Sequence, residues 1–206
     1  MGVVVAAFDV DGTLTVRDCV VPFLTRISGG RGRLGARLAR RPLALLGALA
    51  RRDRDAVKAV ATRAAFAGRR FDRVAEEARA YAGVIGTSWL RPDTVARLAW
   101  HREQGHRIVL VSASYELYVG PLAAALGGDA VATRLVVGAD GRLTGALDGP
   151  NCRAAEKVVR LRAWQDAVQA TGAELWAYGD SAGDDALLAA ADHPVRVGAA
   201  PITREP

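Results

Sequence analysis

Residues 3–15 read VVVAAFDVDGTLT. The first six are all apolar and rich in valine, and the run ends at the polar turn Asp9-Val10-Asp11-Gly12. No polar residue alternates through it, so both faces of the segment are expected to be buried. That is the pattern of an interior strand in a parallel sheet covered on both sides. The turn after it places two carboxylates, Asp9 and Asp11, at the strand's carboxyl end.

Outward from this strand, similar short apolar runs recur at 107–112 (RIVLVS), 174–178 (ELWAY) and 194–197 (PVRV). Helical stretches separate them. Residues 92–104 stop at Gly105, 115–126 at Gly127-Gly128 and 153–170 at Gly172, and a shorter helix is expected over 184–191. Residues 133–147 alternate on either side of Asp140-Gly141, a hairpin signal. Strands alternating with helices indicate an α/β fold. Between 18 and 85 no strand pattern occurs. Ala, Leu and Arg dominate there, broken by Gly29-Gly30, Pro42 and Gly68, which predicts three or four helices. A helical block inserted after the first strand predicts a cap over the sheet's carboxyl edge, where ligands of such folds bind. The division expected is a core of residues 1–15 and 87–206 with a cap of residues 16–86. Residues 202–206 are expected to fray.

Most chemically useful residues fall just past a strand. Asp9 and Asp11 follow the first, Ser112 ends the second, and Asp180 and Asp184 follow the third. A parallel sheet gathers these points on one edge. Lys157 lies near the start of a helix that can reach the same edge. Carboxylates gathered there repel each other unless a cation joins them. Mg²⁺ suits an all-oxygen set, whereas zinc is disfavoured because no His or Cys lies in these motifs. Carboxylates, metal, lysine and a serine hydroxyl together suit a phosphoryl group. Lysine is rare in this chain, occurring only as Lys58 and Lys157 among many arginines, so its use at 157 favours a lysine-specific role.

These motifs resemble those of the haloacid dehalogenase superfamily. Phe8 to Thr15 (FDVDGTLT) is similar to its first motif, Val111-Ser112 to the second, Lys157 to the third and Gly179 to Asp184 (GDSAGD) to the fourth. The helical cap position, the run RLVVGADGRLTGALDG at 134–149 and CRAAEK at 152–157 resemble the phosphoserine phosphatase-like subgroup. The resemblance implies a Rossmannoid sheet with an inserted helical cap and a Mg²⁺-dependent phosphomonoester hydrolase acting on a small phosphorylated substrate. It implies Asp9 as nucleophile and Asp11 as general acid and base. Ser112 and Lys157 would hold the phosphoryl oxygens. Asp9, the backbone carbonyl of Asp11, Asp180 and Asp184 would serve the metal. Thr13 reads as a turn-stabilising hydroxyl and Asp185 as a helix-start acid. Asp18 and Arg63 stand near positions where phosphoserine phosphatases meet the substrate's amino and carboxylate groups. Two features depart from that subgroup: Ala154 where a Gly is frequent, and Ala113-Ser114 where two glycines are usual.

Composition narrows the alternatives. The chain has 206 residues and a net charge of +6. The apolar run at 42–50 is too short for a membrane span, which needs roughly 18–20 residues. The N-terminus carries no basic leader, and the two absences together argue for a cytoplasmic protein. Cys19 and Cys152 form neither a disulfide framework nor a zinc site and read as ordinary thiols. Residues 26–54 carry nine arginines and one acid, Asp53. A solvated helix face is the first reading of that stretch, and a surface for anionic lipid or a polyanionic substrate the second. Few aromatics and no recognition motif argue against nucleic-acid binding. A phosphotransferase or mutase of the same superfamily, and a catalytically silent binding protein on the same fold, stay open as alternatives. Oligomeric state is not legible.

Overall fold

The computed structural model describes residues 2–40 and 42–206. Met1 and Arg41, the latter one of the nine arginines of the basic stretch, lie outside the described residues.

The core is a six-stranded sheet in the order β4-β3-β2-β1-β5-β6. β1 (Val4–Phe8) is central and pairs in parallel with β2 (Arg107–Tyr115) and β5 (Glu174–Gly179). β3 (Asp129–Val137) and β6 (His193–Arg196) extend the parallel array, and β4 (Leu143–Asp148) closes one edge antiparallel to β3. Val5 to Phe8 are fully buried, as an apolar run without alternation demands. Alternate residues of β1 feed two cores. Ala6 and Phe8 pack with Leu98, Tyr118 and Leu122, whereas Val5 and Ala7 pack with Leu161 and Leu187.

Among the described residues five helices, α1 (Val20–Ser28), α2 (Arg31–Leu38), α3 (Pro42–Ala50), α4 (Arg54–Phe66) and α5 (Phe71–Ser88), occupy the chain between β1 and α6 (Pro92–Glu103). The sequence predicts three or four here. The extra helix arises because Gly29-Gly30 closes α1 and Gly30 opens α2 at once, while Asp53 caps α4 by accepting from the N–H groups of Asp55 and Ala56. α7 (Glu116–Ala125) follows β2 directly, and α8 (Ala155–Ala167) and α9 (Asp185–Ala189) cover the opposite face.

Three readings need correction. β2 runs on to Tyr115 instead of stopping at 112, with a register shift against β3 between Ser112 and Tyr115. The first arm of the hairpin starts at Asp129, not 133, and joins the main sheet. Its tip then braces the loop between α4 and α5: the Gly68 N–H donates to the Leu143 carbonyl, and the Leu143 N–H to that of Arg69. The tail is held as well. Buried Arg97 donates to the carbonyls of Thr203 and Glu205, and the Ile202 N–H donates to Asp93. A guanidinium seated in the core is satisfied by those carbonyls, so residues 202–205 dock.

Among the described residues no helix is long and apolar enough to cross a membrane.

Candidate active site

Register decides what meets at the sheet's carboxyl edge. Phe8 pairs with Leu110 on one side and Tyr178 on the other, and the Asp9 N–H donates to the Tyr178 carbonyl. Asp9, Ser112 and Asp180 therefore lie within two residues of one level. The Phe8 and Tyr178 rings stack 4.3 Å apart beneath Asp9, and the Tyr178 hydroxyl is 2.7 Å from the imidazole of buried His101. Burial pushes that imidazole down to about 3, so it stays neutral across the working range.

At this edge Lys157 Nζ donates to Asp9 Oδ1 at 2.5 Å and Asp184 Oδ1 at 2.6 Å. All three side chains are buried. Carboxylate oxygens of Asp9, Asp180 and Asp184 lie within 4.8 Å of one another, with Asp180 exposed at the rim. The second oxygen of Asp184 accepts from the Ser181 N–H and hydroxyl. Burial raises Asp9 to about 7 despite Lys157, and Asp184 and Asp11 add to the rise. Asp184 goes the other way: burial would raise it, but Lys157 and Ser181 hold it below the usual carboxylate range. Lys157 stays above an ordinary lysine, because Asp9 and Asp184 outweigh its burial.

With all three carboxylates ionised, one ammonium leaves two negative charges in this cluster. A hard divalent cation answers that surplus, and its oxygen-only donor set is that of Mg²⁺. The backbone is shaped around the same carboxylates. Gly12 has φ +87°, and a Cβ there would collide with the Asp180 carboxylate. Thr13, read from sequence as a turn hydroxyl, donates to Asp180 at 3.3 Å, so it also orients the cluster.

A pH dependence follows for the metal-free protein. Asp9 titrates near 7 when folded against an ordinary 3.8. Between those values the folded state keeps a proton the unfolded chain has lost, so Asp9 costs stability as pH rises through the window. The slope is at most about 1.4 kcal/mol per pH unit. In excess chelator, urea midpoints of Asp9→Asn should therefore gain on wild type from pH 5 to pH 8. A constant difference would put Asp9 at an ordinary pKa.

Asp11 faces elsewhere. Its Oδ1 accepts from the Cys19 N–H at 2.6 Å, and its Oδ2 from the Ser114 hydroxyl, which accepts in turn from Tyr118 at 2.6 Å. Burial raises its pKa, with Ser114 opposing. Ser112 is fully buried, and its hydroxyl accepts from the Ser114 N–H at 3.0 Å. Ser114 is a residue that sequence reasoning missed as a contributor. Its only signal was the departure Ala113-Ser114.

Lys157 is placed by an unusual turn. Ala154, at the start of α8, has φ +52° and ψ −126°, and its N–H donates to the Gly183 carbonyl. This conformation suits glycine, which accounts for the glycine frequent here in the subgroup, and a Cβ in it costs roughly 1–3 kcal/mol. Ala154→Gly should therefore raise the unfolding free energy by about 1 kcal/mol, measured by urea denaturation. A loss of stability would show the turn unstrained.

A cleft of about 640 Å³ adjoins this site. It stops short of Asp9. Asp18, Lys58, Asn151 and Arg153 line it together with the charged residues 52–55 around the start of α4, and Val20, Val21, Leu24, Leu49, Val57 and Ala61 supply its apolar wall. Asp18 is in the cleft, but its carboxylate accepts from the N–H groups of Val20 and Val21 and so caps α1. Arg63 is not brought there. It is exposed, and its Cα packs toward Gly145 of the hairpin. The cation that α4 does send inward is Lys58. It donates to the Ala113 carbonyl, to Thr133 at 3.2 Å and to Asn151 at 2.6 Å. Burial lowers it to about 8. The scarcity argument applied to Lys157 would have found Lys58 too. Both cysteines are buried, and burial raises both thiols, which fits ordinary packing residues.

Comparison with known proteins bears on the fold and the family. Protein CicA of Caulobacter vibrioides is 43% identical over 188 residues, covering 90% of this chain and 82% of that protein. A protein of unknown function from Bordetella pertussis Tohama I has a similar structure (TM-score 0.75, 26% identity, 92% of this chain and 87% of that one). A phosphoserine phosphatase solved as a phospho-aspartyl intermediate analogue shares the fold at TM-score 0.62 and 20% identity, over 93% of this chain and 84% of its own. Residues 6–189 match the description haloacid dehalogenase-like hydrolase, so the chain belongs to that family.

Proposed function

We propose that this chain is a Mg²⁺-dependent phosphomonoesterase of the phosphoserine phosphatase-like kind, working through an aspartyl-phosphate on Asp9. One observation carries the reading: two aspartates of a single turn face two different environments. Asp9 sits among Lys157, Asp180 and Asp184, while the carboxylate of Asp11 turns to Cys19 and Ser114. Two neighbouring carboxylates with separate partners can take separate roles, one as nucleophile and one as general acid and base.

In the first step an Asp9 oxygen attacks phosphorus, the bond to the leaving oxygen breaks, and Asp11 gives that oxygen its proton. In the second, water attacks the same phosphorus, Asp11 takes the water's proton, and the bond to Asp9 breaks. Lys157 and Ser112 hold the phosphoryl oxygens. Asp9, the Asp11 carbonyl, Asp180 and Asp184 would hold Mg²⁺, which when bound offsets the charge of the phosphoryl oxygens. Residues 16–86 act as the cap, and Lys58 ties it to the core through Ala113, Thr133 and Asn151.

The test is phosphate release from a generic aryl phosphate. Activity should need Mg²⁺, vanish in excess EDTA and return with Mg²⁺. Ca²⁺ should inhibit, because its larger, flexible shell disturbs the in-line geometry that Mg²⁺ supports. Full hydrolysis in EDTA would sink the metal assignment.

A further inference from the structure

We propose that the substrate is a single-chain amphiphile: a phosphate monoester whose hydrocarbon tail runs along the apolar wall of the cleft toward α3. The inference rests on the phosphatase reading and names its substrate class.

The cleft borders the carboxylate site. Lys58 there bonds the carbonyl between Ser112 and Ser114, and Arg153 lies beside Gly183, next to Asp184. Each acid of the cleft accepts at least one hydrogen bond, and Asp18 accepts on both oxygens. Asp18 caps α1, Asp53 caps α4, and Asp55 accepts from Asn151. The guanidinium groups of Arg52, Arg54 and Arg153, all lining the cleft, make no hydrogen bond or ion pair among the described residues. The lining carries four cations, Arg52, Arg54, Lys58 and Arg153, against the three acids Asp18, Asp53 and Asp55, a balance that suits an anionic head.

Between these charged groups the cleft has an apolar wall of Val20, Val21, Leu24, Val57, Ala61 and Leu49, the last from α3. That helix (PLALLGALA) has no polar side chain and buries only Ala48, whereas Leu43, Leu46 and Leu49 are 84%, 62% and 52% exposed. Leu49 belongs to both the cleft wall and this exposed row, and Val21 opposite is also exposed. Three solvent-facing leucines flanked by Arg40, Arg51 and Arg52 are apolar surface without a partner in the fold, rimmed by charge complementary to an anion. A cleft of this volume takes a small ligand with most of its surface buried.

The test is calorimetric binding of n-alkyl phosphonates of two to twelve carbons in Mg²⁺, to wild type and to Val21→Ser/Leu49→Ser. Both replaced side chains are exposed, so the variant should fold. Wild-type affinity should rise roughly two- to fourfold per added methylene. The variant should match wild type at two carbons and lose most of the slope. Phosphonates that bind with a flat chain-length series would overturn the proposal and leave the phosphatase reading intact. A flat series with binding to phosphatidylcholine vesicles containing phosphatidylglycerol would instead assign α3 to a bilayer surface, also against the proposal. No phosphonate binding, together with no aryl phosphate hydrolysis, would remove both readings.

Discussion

Asp9→Asn should reduce turnover by roughly 10⁴-fold or more while the protein still folds and Lys157 keeps its bond to Asp184. The replacement preserves volume, and the backbone bond from residue 9 to the Tyr178 carbonyl is untouched. What disappears is the anionic oxygen now 2.5 Å from Lys157 Nζ. An amide is a poor nucleophile toward phosphorus, and the exposed Asp180 of the cluster is assigned to the metal. Asp184 is bound on both oxygens by Lys157 and Ser181, and Asp11 on both by Cys19 and Ser114. Beryllofluoride, a mimic of an aspartyl-phosphate, should bind wild type in Mg²⁺ and not the variant. Turnover, intact mass and beryllofluoride binding measured on one preparation decide the matter. Substantial turnover in material whose mass excludes reversion to Asp would move the nucleophile elsewhere.

The sheet and the points where its chemistry gathers were legible because both follow from local pattern. An apolar run without alternation marks a doubly covered strand, and the residue after such a strand falls at a known edge. Side-chain direction was not legible. Arg63 and Lys58 both lie on α4, yet only Lys58 points toward the core, and helical phase against an unseen neighbour sets that difference. Ser114 escaped notice for a related reason. The register shift between Ser112 and Tyr115 breaks the two-residue alternation, so the periodicity of β2 does not say where that hydroxyl aims. The docking of residues 202–205 depends on Arg97, which reads in sequence as one more surface arginine but is buried.

Asp11→Asn should slow both chemical steps and leave Mg²⁺ affinity nearly unchanged, since only the backbone carbonyl of residue 11 is assigned to the metal. The local structure should tolerate the change. The amide oxygen can still accept from the Cys19 N–H, and the Ser114 hydroxyl can turn to accept from the new amine. The loss should depend on the leaving group. A nitrophenolate departs with little protonation, whereas an alkoxide needs a full proton, and general acid help is worth roughly 10²–10⁴-fold. Single-turnover phosphoryl transfer across a leaving-group series should therefore show a steeper dependence on leaving-group pKa in the variant. Ser114→Ala supplies a finer control. The Ser114 hydroxyl lowers the Asp11 pKa against the rise from burial. Its removal should raise that pKa, keep the acid form to higher pH and shift the base-dependent second step in the alkaline direction. An equal loss for every leaving group in Asp11→Asn would mean that Asp11 is not the acid. A large drop in Mg²⁺ affinity would make its side chain a ligand, and the split between the two aspartates of the turn would then carry a different meaning.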